Sequence, residues 1–233
     1  MVFCYNIGMG YHIDTGLIKE KFAVDCECPL CEIKNVVEEQ FLYEFLNDAV
    51  MEETTRLKVG QLGFCYRHFD MLFKRQNKLS VALQIDTRAK VLMPLLSDIK
   101  SAGSAQKVSK QLKESEKSCI ICGLTEESMV KYYKTIAQMF VREKDFYKTL
   151  FSSKGFCLDH YAELLKYSKS AGFATKEYVA LISGVQKRNM ERLLSELKRF
   201  CDKHDYRNAL EPLGSSETAL PRIGVKLYGK QYD

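Results

Sequence analysis

Four short pairs of soft metal ligands stand out in the chain: Cys28-Pro29-Leu30-Cys31, Cys65-Tyr66-Arg67-His68, Cys119-Ile120-Ile121-Cys122 and Cys157-Leu158-Asp159-His160. A C-x-x-C pair and a C-x-x-H pair together offer three thiolates and one imidazole, a closed Cys3His shell for a tetrahedral ion such as zinc. The order occurs twice, and both C-x-x-H pairs are entered through Gly-Phe-Cys, at Gly63-Phe64-Cys65 and Gly155-Phe156-Cys157. Cys28 and Cys119 are 91 residues apart and Cys65 and Cys157 are 92 apart, so the repeat is in register to within one residue. Two zinc ions are expected, one for each half.

Four protein ligands leave no coordination position for water, which makes a structural metal the natural role and a hydrolytic one unnatural. Spacing alone leaves three matters open. An iron–sulfur cluster can also accept a histidine in place of a thiolate. Ligands can be exchanged between the halves, with Cys28 and Cys31 meeting Cys157 and His160. Cys28 and Cys31 also resemble a dithiol redox motif, with Cys26 as a possible resolving thiol, although thioredoxin-type sites follow a strand and the chain has no convincing run of strands. Cys201-Asp202-Lys203-His204 is a third C-x-x-H without a C-x-x-C to complete it, and Cys4, Cys26 and His12 have no ligand partners in the pattern. Glycine-rich phosphate loops, nucleophile elbows and H-E-x-x-H are missing, which removes the common hydrolase and nucleotide-enzyme signatures.

The elements that position the pairs are helical. After Cys31, Ile33, Val36, Val37, Phe41 and Phe45 recur at three- and four-residue intervals, the period of a helix. Leu46-Asn47-Asp48 reads as a turn, and a second run over 50–58 leads back to Gly63. At about 1.5 Å per residue, two equal legs within the Cys31–Cys65 gap would travel roughly 25 Å out and back, so an αα-hairpin is expected to return Cys65 to Cys31. A helix starting near Cys65 would put Cys65 and His68 on one face. A helical stretch over 79–99 should kink or end at Pro94. The polar run 107–118 reads as a loop or an exposed helix. In the second half Met129, Tyr132, Tyr133, Ile136 and Phe140 repeat the apolar stripe, 143–145 turns, and a long helix over 175–201 follows. The expected fold is therefore all-α: two tandem helical-hairpin repeats, each clamped by a Cys3His site, with long connecting helices and an irregular, partly packed tail. The corresponding division is 1–100, a linker at 101–118, a second repeat at 119–204 and the tail at 205–233.

Composition bounds the rest. At 233 residues with 46% hydrophobic and 28% charged side chains, the chain is of ordinary globular type. No apolar run is long enough for a membrane span, and the first residues lack a signal-peptide pattern, so a cytoplasmic protein is expected. In such a compartment nine cysteines favour metal thiolates over disulfides. The net charge of +5 is small for a nucleic-acid binder, and the thirteen Lys and Arg of 166–233 are interspersed with eight Asp and Glu. Nucleic acid is thus the weaker partner class, and another protein or macromolecule the stronger. The opposite bias, nine acidic residues against Lys34 alone between Asp25 and Glu53, makes the charge distribution dipolar.

With these residues in view, the chain resembles a family of uncharacterised bacterial proteins known as a domain of unknown function. The resemblance rests on Tyr11-His12-Ile13-Asp14-Thr15, the Cys28–Cys31 knuckle, the two Gly-Phe-Cys-x-x-His motifs and Asp205-Tyr206-Arg207. Ile120 stands where a knuckle proline is usual, and His204 where an aromatic is expected. The resemblance implies no activity. The function expected from the residues is a non-enzymatic, zinc-binding interaction or regulatory module, with a thiol or zinc redox sensor at Cys28 and Cys31 as the alternative.

Overall fold

The computed structural model describes residues 15–47, 49–97, 99–203 and 214–230, and among these the chain is helix and connecting turn with no strand. The all-α expectation therefore holds. Eleven α-helices are described: α1 (Thr15–Ala23), α2 (Pro29–Leu46), α3 (Glu53–Leu62), α4 (Tyr66–Lys74), α5 (Lys78–Leu92), α6 (Ala102–Lys117), α7 (Ile120–Arg142), α8 (Phe146–Ser152), α9 (Leu158–Lys166), α10 (Thr175–Lys203) and α11 (Ala219–Tyr228). None is long and apolar enough to cross a membrane.

The chain divides into two compact units that follow neither half of the sequence. One holds the residues up to Ile33 and those from Met129 onward; the other is Lys34–Ser128. The divisions fall within α2 and α7. In the second of these units α3 packs along α5. Gly60 permits the approach, since a Cβ there would sit 3.2 Å from the methyls of Thr87 and Val91. Buried Gln84 of α5 donates to the Phe45 carbonyl at 2.6 Å, and the Arg88 guanidinium donates to the last carbonyls of α3, Gly60 and Gln61, at 2.9 and 2.6 Å. A cation at a helix C-terminus satisfies both the orphan acceptors and the dipole. As Pro94 implies, α5 ends at Leu92 and a 3₁₀ turn, Met93–Leu96, follows. The stretch 101–118 takes the exposed-helix form: α6 buries no side chain and starts at a capping box between Ser101 and Ser104.

The other unit is organised around α10, whose buried stripe Tyr178, Ile182, Val185, Gln186, Asn189 and Leu193 keeps helical spacing and meets α8 and α11. Phe22 of α1 packs edge-on against Phe146 and Phe156. The tail departs from the irregular form expected of it, because 219–228 is helix α11, burying Ala219, Ile223 and Lys226 at successive turns. Pro221 is compatible with this because it lies in the first turn, where its missing N–H has no acceptor to lose. Cys4, His12, Asp48, His204 and Asp205-Tyr206-Arg207 lie outside the described residues, as does the opening motif up to Asp14.

The helices expected to form the two hairpins differ in length. The outward helix α2 has 18 residues and the return helix α3 has 10, rises of about 27 and 15 Å. In the second half α7 has 23 and α8 only 7, about 35 Å out against about 10 Å back. The two helical legs in each gap are therefore unequal, unlike the equal legs expected.

Candidate metal centres

Each of the four pairs is a helix N-terminus. Cys28, Cys65, Cys119 and Cys157 immediately precede α2, α4, α7 and α9, and Cys31, His68, Cys122 and His160 are the third residues of those helices. The flanking and third positions of a helix face one another, as the two partners of a capping box do. C-x-x-C and C-x-x-H therefore aim two donor atoms at one point, and the positive end of each helix dipole favours thiolate there. The shared face expected for Cys65 and His68 is realised at all four pairs.

The pairs combine across the halves. Cys28, Cys31, Cys157 and His160 form one group, and Cys65, His68, Cys119 and Cys122 form the other, with the donor atoms of each all within 4.8 Å of one another. This exchanged pairing corrects the clamp within each half that the hairpin reasoning favoured. All eight residues singled out from the sequence are thus brought together, and each group lies within one compact unit. The spare thiols stay apart. Cys26 is half-buried, its thiol pushed up to about 11 by burial and by Glu32, and Cys201 is exposed near the end of α10.

In the first centre His160 Nδ1 lies 3.4 Å from Cys28 Sγ, 3.5 Å from Cys31 Sγ and 3.2 Å from Cys157 Sγ. Cys31 and Cys157 Sγ are 3.9 Å apart. In the second, His68 Nδ1 lies 3.2 Å from Cys65, 3.2 Å from Cys119 and 3.3 Å from Cys122, with Cys65 and Cys122 Sγ 3.9 Å apart. A tetrahedral zinc with ordinary bond lengths sets its ligands about 3.8 Å apart for S···S and about 3.6 Å for S···N. An imidazole nitrogen has one proton or one lone pair, in the ring plane, and cannot form directed hydrogen bonds to three sulfurs at once. These separations would fit one ion at the middle of the four atoms.

Without a cation the clusters hold their charge by sharing protons. Hydrogen bonds from Cys122 and His68 pull Cys119 down to about 3 despite burial, while Cys122, which keeps its proton beside that thiolate, is pushed up. Cys28 is pushed up by burial and by its thiol neighbours, and Cys157 is pulled down by hydrogen bonds from Cys28 and Cys31. Burial opposes a charged imidazole, but the adjacent thiolates raise His68 to about 10, with help from Glu38, and His160 to about 9. A divalent cation would replace these protons, so binding is coupled to their release.

The surroundings of the two centres differ. His68 Nε2 donates to Glu38 Oε1 at 2.8 Å, and Arg67 grips the same carboxylate with two bonds of 2.6 Å. A carboxylate behind the imidazole fixes its tautomer and leaves Nδ1 as the donor atom. The position seven residues after the first knuckle is Glu38, and seven after the second it is Met129; among the described residues, buried His160 Nε2 has no hydrogen-bond partner. The approach loops are pinned by different means too. Gly63 and Gly155 both adopt positive φ, 66° and 82°. The Phe156 N–H and carbonyl are clamped by Gln186 of α10, both bonds at 2.9 Å. Gly63's carbonyl instead accepts from Ile120 N–H at 3.0 Å. A proline at 120, like Pro29 of the first knuckle, would have no such proton to give.

The first centre is also met by Gly229 and Lys230, the two residues that follow α11. Lys230 N–H donates to Cys31 Sγ at 3.4 Å. Gly229, at φ 77°, lies so close that a Cβ would stand 3.8 Å from Cys157 Sγ and 4.0 Å from Cys31 Sγ. Fully buried Lys226 of α11 donates to the carbonyls of Glu27 and Lys154 on either side of the ligand loops. Glu27 itself is held by Arg192 at 2.8 Å and Arg222 at 2.9 Å. None of these supporting residues was visible in the ligand pattern, because each acts from a segment distant in sequence.

A family of unknown function, DUF6062, matches residues 9–233. The chain belongs to this family. Among curated proteins it is similar to an uncharacterised 23.9 kDa protein in the xynA 3' region of Caldicellulosiruptor sp. (strain Rt8B.4), 24% identical over 191 residues, which cover 81% of this chain and 87% of that one. No solved structure matches. Membership agrees with the resemblance read from the motifs, and assigns no chemistry to the Cys and His groups.

Proposed function

We propose that this DUF6062 protein is a non-enzymatic, cytoplasmic helical scaffold in which two zinc ions, each in a Cys3His shell, clamp helix N-termini and so set the surfaces offered to a macromolecular partner. The observation that carries this reading is the single imidazole nitrogen facing three sulfurs at 3.2–3.5 Å, twice over. Zinc suits a tetrahedral N/S set, and four protein donors fill its shell. An iron–sulfur cluster interposes several atoms between its ligands and would hold them further apart than the 4.8 Å limit met here. Structural zinc is worth about 10–16 kcal/mol of apparent folding free energy, comparable to the whole stability of a domain. Binding of a protein partner is favoured over nucleic acid by the mild charge and by exposed apolar side chains such as Leu57, Leu79, Met93 and Leu96.

Duplication of an ancestral unit belongs to the same reading, with repeats at 1–100 and 119–204 and a joining segment at 101–118. Its support is the equal length of α4 and α9, nine residues each, and the positive φ of both Gly-Phe-Cys glycines. On this view the repeats of the sequence exchange their ligand pairs. The rival dithiol reading at Cys28 and Cys31 has burial against it, since both cysteines are buried and Cys31 Sγ also accepts the Lys230 N–H.

Metal analysis of protein purified without added zinc tests the proposal. Two zinc ions per chain are expected, with chelation collapsing the helical circular dichroism. A folded, metal-free protein with all nine thiols titrating freely would refute it.

A further inference from the structure

The two centres differ in access to solvent, and that difference bears on their chemistry. In the first, Cys28, Cys31, Cys157 and His160 are all buried. Two of its sulfurs, those of Cys157 and Cys31, lie next to Gly229, and Cys31 receives the Lys230 N–H. In the second, His68 and Cys119 are buried, Cys65 is half-exposed and Cys122 is exposed. A thiolate in reach of solvent can act as a nucleophile, while a buried one that accepts a hydrogen bond is hindered both sterically and electronically. The sulfur of Cys65 is 3.9 Å from that of Cys122, close enough to resolve an oxidised partner.

We propose that the second centre is a site of oxidative modification by hydroperoxides, with Cys122 the sulfur attacked and the metal of this centre alone released. The inference rests on the two-zinc reading above. The Cys122 thiolate attacks one oxygen of hydrogen peroxide, the O–O bond breaks, and the departing hydroxide takes a proton to leave as water. The resulting sulfenic acid is attacked by the Cys65 thiolate; an S–S bond forms, the S–O bond breaks, and the second hydroxide is protonated to water. Two thiolates, one peroxide and two protons thus become one disulfide and two waters. Two of the three anionic ligands are lost, and the ion leaves as hydrated zinc. The helix N-termini of α4 and α7 are then no longer clamped together, whereas α2 and α9 remain joined at the first centre. The redox chemistry of the chain is thereby placed at Cys122 rather than at Cys28 and Cys31.

The test begins with the full-length protein, reduced and assayed for two zinc ions per chain; a lower count would remove the underlying reading before this one is addressed. Limited hydrogen peroxide is added, released zinc is followed with a chromogenic chelator, and remaining thiols are alkylated under denaturing conditions for peptide mass spectrometry. One ion is expected to leave about tenfold faster than the other, with a Cys65–Cys122 disulfide forming while Cys28, Cys31 and Cys157 stay alkylatable. Thiol reductant with added zinc should restore the second ion. Parallel release of both ions, earlier oxidation of the first-centre cysteines, or no release from the two-zinc protein would overturn the proposal. Lys230→Pro removes the N–H bonded to Cys31, and should speed release of the slower ion several-fold. An unchanged rate in that variant would overturn the shielding on which the selectivity depends.

Discussion

Replacing Glu38 with glutamine isolates the one feature that most separates the two centres. Glu38 is buried and receives His68 Nε2–H at 2.8 Å and two Arg67 bonds at 2.6 Å. Burial alone would raise its pKa, but His68 and Arg67 hold it at about 2, so at neutral pH it is a carboxylate. Glutamine keeps the shape, yet it removes the charge that makes the imidazole a better donor and can no longer accept the Arg67 fork on both arms. Loss of such a supporting carboxylate typically weakens metal binding about 10- to 100-fold, or about 1.4–2.7 kcal/mol. The effect should fall on the second centre alone. The first has Met129 at the corresponding position, and among the described residues His160 Nε2 has no carboxylate to lose. Competition against a graded series of zinc chelators reads the affinity, and alkylation mapping of Cys65, Cys119 and Cys122 against Cys28, Cys31 and Cys157 says which centre has emptied. Equal weakening of both centres, or a change below about twofold at the second, would refute the role given to Glu38. A lowered melting temperature with unchanged chelator competition would make it a packing residue only.

Three other perturbations address the frame around the centres. Gly155→Ala should destabilise the protein by about 1–3 kcal/mol in urea unfolding, because φ there is 82° and the new Cβ would stand 2.9 Å from Gln186 Oε1, the acceptor for Phe156 N–H; Gly184→Ala, with nothing within 4 Å, is the control and should cost nothing. Glu27→Gln removes the carboxylate that Arg192, Arg222 and Lys226 share, while both arginines keep Glu196, and should cost about 1–3 kcal/mol. Burial opposes the Glu27 carboxylate but Arg222, Lys226 and Arg192 hold its pKa below 4.5. The stabilisation is therefore complete above pH 4.5 and fades as the pH falls through the lowered value, and the gap between wild type and variant should close in that acid range. Cys26→Ser should leave the zinc count unchanged. In the wild type Cys26 should alkylate slowly at neutral pH because burial raises its thiol to about 11, whereas exposed Cys201 reacts readily.

What could be read from the sequence was local, and what could not was set by length and by distance along the chain. The helix starts at Cys28, Cys65, Cys119 and Cys157 follow from spacing, because a flanking and a third position meet on any helix. The end of α5 follows from Pro94. The pairing does not follow, since it depends on where the return helices stop, and helix ends are poorly marked: α8 ends at Ser152, with only the Gly155 loop before Cys157. Glu38 sits in an acidic run where any of several carboxylates could have faced the histidine. Gln186, Lys226 and Lys230 reach the first centre from beyond Cys157, and neither repeat nor motif connects them to it. The tail looked irregular because it is rich in proline and glycine, yet Pro221 in a first turn and Gly229 just past the last one are where a short helix tolerates both.

The exchange of ligands also changes what two bound metals, as proposed, would do to the unfolded chain. Clamps within each half would be two separate clips, each closing a short loop. Here the closures are nested, because the contact from His68 to Cys119 spans 51 positions and lies inside the contact from Cys31 to Cys157, which spans 126. On loop length alone the outer closure removes about 0.8 kcal/mol more conformational entropy from the unfolded state than the inner one. Once the inner metal is bound, much of the outer loop is already tied, so the first centre is easier to close with the second one filled. Loss of an inner ion would therefore weaken the outer closure through the chain connectivity alone. The buried centre, hydrogen-bonded by Lys230 and roofed by Gly229, is the one equipped to persist through such a loss.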